Sequence, residues 1–230
     1  MQQASYDAIT LNLDPGAEEI PYPPDIDVRD WVRLSDVMAE RGLGPNGAQV
    51  ASADMVALHA REIAQRVRGY DTDYVLVDCP GQIELFTFRQ SSKVILEALG
   101  PEESFILYLS DPLLTRRPSG LIASMLLSST TQFRLRMPFF NILSKADLLT
   151  EEEVERIVEW SGDPQILYDA LVAELLEPEN ILNLEFLRAM EAIGVYKRLT
   201  PVSSELVRGL EDVYDAVQQA FAGGEDLEKR

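Results

Sequence analysis

The sequence contains very little cysteine or histidine and no long hydrophobic run. Cys79 is the only cysteine, so an internal disulfide is excluded, and a lone thiol fits a reducing compartment. No segment approaches the roughly 18 consecutive apolar residues that a membrane span needs, and the first residues form neither a charged leader nor an apolar signal core. We therefore expect a cytoplasmic protein with no membrane partner.

Positive charge is also scarce. The 230 residues carry 39 acidic and 20 basic side chains, a formal net charge of −19, and the lysines are only Lys93, Lys145, Lys197 and Lys229. This balance argues against nonspecific binding to nucleic acid or to an anionic membrane. Two interpretations stay open. The first is a halophilic protein, because high salt screens the repulsion between the acidic side chains of such a lysine-poor surface. The second is an ordinary acidic cytosolic protein.

Short apolar runs alternate with helical patterns, and 46% of the residues are hydrophobic, enough for one sizeable core. We predict strands at Ala8–Leu13, Tyr74–Asp78, Ser104–Ser110, Pro138–Leu143 and Leu199–Val202. We predict helices at Asp30–Arg41, Gly47–Arg68, Gln82–Leu99 and Pro118–Phe133, and a last helix from Glu205 to Phe221 capped by Ser204. This alternation is typical of a three-layer α/β/α domain with a mostly parallel sheet.

Residues 1–222 are expected to form one α/β domain. The region of about residues 151–193 lacks strand patterns, which predicts a helical insertion of two or three helices, and the acidic tail at residues 223–230 is expected to be frayed. In such a domain, ligands bind at the carboxyl ends of the strands, so the residues that follow each strand are the candidates for a site.

The second predicted strand ends in VLVDCPGQIE. Asp78, at the strand end, could hold magnesium through water, Gly81 would let its N–H approach a terminal phosphate, and Gln82 could orient a water molecule. The alternative is a turn that ends the strand and carries a solvated carboxylate.

The fourth and fifth predicted strands end in FFNILSKADLL and LTPVSSE. Lys145 and Asp147 can point the same way, so the lysine stem could cover a purine while the carboxylate accepts hydrogen bonds from N1–H and the 2-amino group of guanine. Adenine lacks this donor pair. Ser203, Ser204 or their backbone could meet the guanine edge. The alternatives are a helix start that favours Asp147 and a serine helix cap.

The first predicted strand is followed by a proline-stiffened segment that contains the carboxylates Asp14, Asp25, Asp27 and Asp30. Grouped carboxylates can serve magnesium or position water. Most of these acids are nevertheless expected to lie in a solvated loop. Asp14, directly after the strand, is the exception that we assign to a site.

Between two predicted helices lies RGLGPNGAQ, with a Gly-Pro-Asn-Gly turn. Pro45 fixes one dihedral angle, Gly44 and Gly47 permit close approach, and the Asn46 amide can donate to a phosphate oxygen without a charged arginine. The alternative is a helix stop, a turn, and Asn46 as the cap of the next helix.

Taken in order, the segments NLDPGAEEIPYPPDIDVRD, GLGPNGAQ, DCPGQIELF, NILSKADLL and PVSS resemble the GPN-loop GTPases, a family of P-loop NTPases found in archaea and eukaryotes. The resemblance covers nearly the whole chain. It implies a homodimer in which Gly44, Pro45 and Asn46 reach the partner's nucleotide phosphates. It also implies a molecular switch or assembly factor, with an RNA polymerase-related protein as a possible partner by analogy with eukaryotic members.

The resemblance further implies GTP hydrolysis with Mg²⁺ and no covalent intermediate. Asp14 and Asp78 would serve the magnesium shell, and Asp78, Gln82 and Glu84 would hold the attacking water. Lys145, Asp147 and Ser203 would bind guanine, and Gly81 would approach the phosphates. Ser144 stands where many GTPases have asparagine, and this departure would lower affinity while guanine preference survives.

A larger departure concerns the phosphate cradle. The family pattern starts with a strand, a Walker A loop and a helix ahead of the NLDP segment, but no G-x-x-x-x-G-K-[ST] occurs in the 230 residues. We expect an amino-truncated GTPase that lacks this first unit and is inactive as it stands, with apolar strand flanks exposed and a sheet edge open. The competing hypothesis is a nucleotide-free dimeric interaction protein that keeps the GPN surface.

Overall fold

Two three-stranded parallel sheets organise this chain, whose computed structural model describes residues 6–174 and 179–222. The described residues up to Ser104 form one compact unit, and those from Phe105 onward form a second. The predicted tail at residues 223–230 lies outside the described residues. All pairs between the named strands are parallel, which confirms the predicted α/β class with a parallel sheet arrangement.

The first unit contains β1 (Ala8–Asn12), β2 (Ile26–Asp27) and β3 (Tyr74–Asp78), in the spatial order β2, β1, β3. Its helices are α1 (Leu34–Arg41), α2 (Pro45–Leu58), α3 (Ala60–Arg68), α4 (Ile83–Phe86) and α5 (Gln90–Leu99). Because β1 is the central strand, its Leu11 is fully buried, and it shares a core with Val56 of α2, Ile63 of α3 and Ile95 of α5. Burial of this kind contributes about 1.5–3 kcal/mol for each large apolar side chain.

The second unit contains β4 (Ile106–Ser110), β5 (Phe139–Leu143) and β6 (Thr200–Pro201), in that spatial order. Its helices are α6 (Pro112–Thr115), α7 (Pro118–Leu135), α8 (Glu151–Gly162), α9 (Pro164–Glu174), α10 (Glu179–Ala192) and α11 (Leu210–Ala222). Leu121 of α7, Leu143 of β5, Ile157 of α8 and Leu167 of α9 meet in its core. The segment predicted to be a helical insertion is thus occupied by α8, α9 and α10.

The start of α8 shows how local sequence sets an element. The Thr150 hydroxyl accepts a hydrogen bond from the Glu153 N–H at 3.2 Å, and the Glu153 carboxylate accepts one from the Thr150 N–H at 2.9 Å. This reciprocal capping satisfies two of the N–H groups that a helix start leaves unpaired. None of the described helices is both long enough and apolar enough to cross a bilayer.

The five predicted strands are present, and their ends differ from the prediction by at most two residues. Two predicted helices are divided. The one at Gly47–Arg68 breaks at His59, which leaves helical dihedrals, and the one at Gln82–Leu99 breaks at Arg89, which is extended. Arg89 makes a bidentate ion pair with Asp54 of α2, a tertiary contact that no local pattern predicts.

The predicted last helix is also shorter than expected. It begins at Leu210, so Ser204 does not cap it. The intervening residues form a turn closed by two backbone hydrogen bonds between Ser203 and Arg208, at 3.0 and 3.1 Å. Gly209 then adopts φ +73°, a left-handed conformation that suits glycine. The two-residue strand β2 was not predicted, since its pattern is too short to detect.

Each sheet ends in a strand with exposed apolar side chains. β3 is the last strand of the first sheet, and its Leu76 is 47% exposed. β4 is an edge strand of the second sheet, and its Leu109 is 65% exposed. Within the described ranges, the outer edges of β3 and β4 pair with no strand. Open apolar edges are unusual in parallel sheets, which are normally covered on both faces.

Candidate functional site

The carboxyl ends of β1 and β3 bring two predicted acids to the same edge of the first sheet. Asn12 of β1 is in register with Asp78 of β3, and the Leu13 N–H donates to the Asp78 carbonyl oxygen at 2.8 Å. Asp14 follows at once. Asp14 and Asp78 therefore extend from adjacent strand ends.

Asp14 is held by Asn12, a residue that the sequence analysis did not single out. Asn12 is 1% exposed, and its side chain accepts from the Asp14 N–H at 2.9 Å and donates to the Asp14 carbonyl at 3.1 Å. The Asp14 carboxylate accepts in turn from the Gly16 N–H at 2.8 Å. An asparagine at the end of a mostly apolar strand was the signal that could have identified Asn12 as a partner of Asp14.

Asp78 also has an unpredicted partner. The Tyr22 hydroxyl donates to Oδ2 of Asp78 at 2.7 Å. Burial, and then this hydrogen bond, raises the pKa of the Tyr22 phenol above its ordinary value, so the hydroxyl keeps its proton at neutral pH. The sequence analysis assigned Tyr22 to no site.

Asp25 and Asp27, which also follow β1, are held by residues of β1 and of their own loop. Asp25 accepts hydrogen bonds from the N–H and the hydroxyl of Thr10, at 2.8 and 3.0 Å. Asp27 forms a bidentate ion pair with Arg29 and accepts from Asn12 at 3.0 Å. Burial alone would raise the pKa of Asp27, but the bonds from Arg29 and Asn12 outweigh it and lower that pKa. Asp27 is thus half-buried rather than a solvated loop carboxylate.

The residues after β3 form an exposed turn and the start of α4. Gln82 is the residue before α4, Glu84 lies in the first turn of that helix, and both are exposed, as is Gly81. Cys79 packs against the core. Burial, and to a smaller extent the neighbouring Asp78, raises the pKa of the Cys79 thiol to about 12, so it is a protonated thiol and no nucleophile.

The GPN segment is organised by α2. Gly44 is the residue before the helix, and Pro45 and Asn46 are its first two residues, so neither the expected free turn nor an Asn46 cap is present. Proline suits this position because its missing N–H would be unpaired there anyway. Gly44, Pro45 and Asn46 are all exposed. No hydrogen bond in the described part of the chain joins them to Asp14, Asp78 or Gln82.

In the second unit, the carboxyl ends of β5 and β6 bring Asp147 and Ser203 together. The Ser203 hydroxyl donates to Asp147 Oδ1 at 2.6 Å, and the Ala146 N–H donates to the Val202 carbonyl at 3.1 Å. Lys145 precedes them, is exposed, and has φ +49°, a left-handed backbone conformation that is uncommon for a residue other than glycine. The Lys145, Asp147 and Ser203 constellation predicted from sequence is therefore local to one unit.

Two further contacts support this constellation. The Ser144 hydroxyl donates to the Ser110 carbonyl at 2.9 Å, which ties the end of β5 to the end of β4. The Leu206 N–H donates to the Ser203 hydroxyl at 3.0 Å. The same turn holds Val207 at φ +50°, which is strained for a β-branched residue.

The carboxylates of the first unit fit a magnesium ion with few protein ligands. The Gly16 N–H binds one carboxylate oxygen of Asp14, and the Tyr22 hydroxyl binds one carboxylate oxygen of Asp78. The second oxygen of each carboxylate is left for a metal ion. No cluster of three or more histidine, cysteine or acidic side chains suited to a metal occurs among residues 6–174 and 179–222. The remaining ligands of a Mg²⁺ there would be water and phosphate oxygens, as is usual for this ion.

Parallel α/β units with acidic residues and a Lys-x-Asp motif at their strand ends are typical of the P-loop nucleotide-binding class of folds. The profile of a family described as "Conserved hypothetical ATP binding protein" matches residues 1–223. The crystal structure of PAB0955, described as a GTPase in apo form from Pyrococcus abyssi, is similar with a TM-score of 0.83 at 30% identity, over 95% of this chain and 88% of that one.

Sequence relatives give a more specific result. The GPN-loop GTPase PAB0955 of Pyrococcus abyssi is 31% identical over 97% of this chain and 89% of its own length. GPN-loop GTPase 1 of Dictyostelium discoideum is 29% identical over 80% of this chain, which spans only 48% of that relative. The chain belongs to the GPN-loop GTPase family.

Proposed function

We propose that this chain binds GTP with Mg²⁺ and hydrolyses it to GDP and phosphate as a homodimer. In this proposal it acts as a molecular switch or assembly factor, and an RNA polymerase-related protein is a candidate partner by family analogy. The observation that carries the proposal is the 2.6 Å hydrogen bond from Ser203 to Asp147 beside Lys145. This contact leaves the second oxygen of Asp147, and the remaining lone pairs of the first, for a base.

Guanine suits this arrangement better than adenine. Its N1–H and 2-amino group form a donor pair that a carboxylate accepts at two oxygens, whereas adenine presents an acceptor at N1. The Lys145 stem would cover the ring face while its ammonium group stays in water. A site built to hydrogen-bond one base strongly rejects another base that leaves its polar groups unpaired. We therefore propose GTP rather than ATP as the substrate.

Hydrolysis is assigned to the first unit. Asp14 and Asp78 would hold Mg²⁺, which neutralises charge on the phosphates, and the Gly81 N–H would approach the terminal phosphate. Gln82 and Glu84, with Asp78, would orient the water that attacks the γ-phosphorus. The bond from that phosphorus to the bridging oxygen then breaks, and GDP leaves.

The homodimer is proposed because the GPN residues are exposed and lie at the start of a 14-residue helix. Such a start carries partial positive charge and free N–H groups, which attract phosphate. Asn46 adds a neutral donor. We propose that Gly44, Pro45 and Asn46 of one copy act on the nucleotide of the other.

A phosphate cradle completes the proposal. The 230 residues contain no Walker A sequence, and we propose that a further strand, which pairs at the open edges of β3 or β4, supplies it. Without that strand we expect weak nucleotide binding and little turnover, because the cradle supplies much of the affinity for phosphates. Selectivity for the base should survive, since the proposed base site does not include the cradle.

The test is equilibrium binding of fluorescent GTP and ATP to the purified chain in Mg²⁺, with phosphate release measured in parallel. We expect guanine nucleotides to bind at least about tenfold more tightly than adenine nucleotides, a difference of about 1.4 kcal/mol. Equal affinities, or no binding, would replace the proposal by the nucleotide-free dimeric interaction protein. Guanine-selective binding with little phosphate release is the result expected while the cradle is absent, and rapid release would overturn the proposed need for a cradle.

Mixed dimers test whether Asn46 acts on the partner's nucleotide. Asn46→Ala protomers keep the base site but lose the donor, and Asp147→Ala protomers lose the base site but keep Asn46. If the donor acts across the dimer, mixing two inactive variants restores part of the phosphate release. No recovery on mixing would mean that Asn46 acts within its own chain or has no catalytic role.

A further inference from the structure

Tyr22 lies in a loop whose two ends are held by hydrogen bonds and whose backbone is restricted by prolines. The loop between β1 and β2 starts at Asp14, whose carboxylate bonds the Gly16 N–H, and it ends at Asp25, which is bound to Thr10 on β1. Pro21 lies directly before Tyr22, and two further prolines follow it. Since proline fixes its own φ and restricts the preceding residue, little backbone freedom remains around Tyr22.

From this loop the Tyr22 hydroxyl reaches Oδ2 of Asp78 at 2.7 Å. The bond joins two segments that lie 56 residues apart in sequence. A hydroxyl that donates to one carboxylate oxygen fixes the rotation of the carboxylate and leaves the other oxygen, Oδ1, as the stronger ligand.

We propose that Tyr22 is a positioning residue that holds Asp78 in a one-oxygen binding geometry and thereby selects a small divalent cation. This inference rests on the proposed function, in which Asp78 serves the magnesium shell. Mg²⁺ demands near-octahedral geometry and commonly takes one oxygen from a carboxylate, whereas Ca²⁺ accepts two oxygens in a flexible shell. A carboxylate with one oxygen already engaged therefore favours the smaller ion.

The test uses the metal alone, so it does not depend on nucleotide or turnover. Mn²⁺, which has the same preference for oxygen ligands as Mg²⁺, broadens the NMR signals of amides near its site. Competition by Mg²⁺ and by Ca²⁺ then gives the relative affinity for each ion. The variant is Tyr22→Phe, which removes one hydroxyl and keeps the ring.

Tyr70→Phe is the matched control. Tyr70 also belongs to the first unit and donates through its hydroxyl to a loop acceptor, the Asp25 carbonyl, at 3.3 Å. Among the described residues, no hydrogen bond joins it to Asp78. The two variants therefore lose the same group from different places.

We expect Tyr22→Phe to weaken binding of Mn²⁺ and Mg²⁺ about tenfold, in the range typical for loss of a hydrogen-bond partner of a metal ligand. Binding of Ca²⁺ should change less than about threefold, because Asp78 can then offer both oxygens. A general loss of structure would weaken all three ions equally. Tyr70→Phe should bind all three like the wild type.

The outcomes separate the inference from its premise. If Mn²⁺ broadens no amide near Asp14 or Asp78 in the wild type, the magnesium assignment fails and the inference fails with it. If the wild type binds and Tyr22→Phe has the same affinities, or loses Mg²⁺ and Ca²⁺ in equal proportion, the inference alone is overturned. A loss of affinity in Tyr22→Phe that is confined to Mg²⁺ and Mn²⁺ supports the inference.

Discussion

Each unit contains a three-stranded parallel sheet, but the side chains at the ends of their strands are held to different extents. In the second unit, hydrogen bonds within the chain connect the loops after β5 and β6, through Asp147 with Ser203 and through Ala146 with Val202. In the first unit, Asp14 and Asp78 are held, but Gln82 and Glu84 are exposed. The residues of the proposed base site are thus joined by hydrogen bonds within their own unit, whereas part of the proposed phosphate site is exposed.

Gly209 of the second unit and Gly81 of the first unit differ in whether the fold requires a glycine. Gly209 is required by the fold, because its φ is +73° and a Cβ there would overlap the Pro201 carbonyl oxygen. Gly81 has no such requirement. A Cβ on Gly81 would meet no heavy atom within 4 Å in the described part of the chain. The fold does not account for Gly81, so we connect it with the approach of a phosphate.

The largest effect is expected from exchanging these glycines for alanine. Gly209→Ala should lower the free energy of unfolding by about 3 kcal/mol, since strain adds to a clash with backbone that cannot move aside. Gly81→Ala should change it by less than about 0.5 kcal/mol. Chemical denaturation measures both. Equal losses in the two variants would remove the contrast between a structural and a functional glycine.

A second prediction concerns the ion pair that fixes the loop of the first unit. Asp27 and Arg29 have side chains only 16% and 24% exposed, so Asp27→Asn should cost about 2 kcal/mol through loss of charged hydrogen bonds. The folded pKa of Asp27 is lowered from 3.8. Its contribution is therefore present above pH 3.8 and is lost as pH falls through the lower folded pKa.

Unfolding measured between neutral pH and the acid range checks both parts. The difference between the wild type and Asp27→Asn should shrink on acidification. Asp30→Asn is the control, because Asp30 pairs with Arg66 in the open at 3.3 Å and should contribute less than about 1 kcal/mol. A pH-independent difference would show that Asp27 acts through packing alone.

The smallest effect is expected at the strained turn of the second unit. Val207→Asn should raise the free energy of unfolding by about 1 kcal/mol, because asparagine adopts the left-handed region more readily than valine. The neighbouring exposed Leu206 has no positive φ, so Leu206→Asn should give no gain. Thermal unfolding of the two variants distinguishes relief of strain from a general effect of removing surface hydrophobicity.

Periodicity and turn chemistry predicted most of the fold. The strands were found because each is an apolar run bounded by polar or turn residues, and the parallel arrangement followed from their alternation with helices. The helix breaks at His59 and Arg89 were missed. Arg89 is held by an ion pair with Asp54 of α2, and a contact of that kind depends on a distant side chain. The late start of α11 was missed because the Ser203–Arg208 turn is closed by backbone bonds that any residues can make.

Spacing also predicted which side chains share a strand end, since Lys145 and Asp147 are two residues apart and Asp14 follows β1 directly. Their partners were not predictable in the same way. Tyr22 meets Asp78 only after β1 and β3 pair, and Asn12 is significant only because its strand is central. Hydrogen bonds across long sequence separations require the fold to be known.

One measurement tests the central claim, that Asp147 binds guanine, most directly. Asp147→Asn replaces a pure acceptor by a group that can also donate, and xanthine differs from guanine by a carbonyl oxygen in place of the 2-amino group. We predict that the variant loses GTP affinity about 100-fold and binds xanthosine triphosphate more tightly than GTP, a reversal measured by equilibrium titration of both nucleotides. An equal loss for both nucleotides, or no loss for either, would contradict the account.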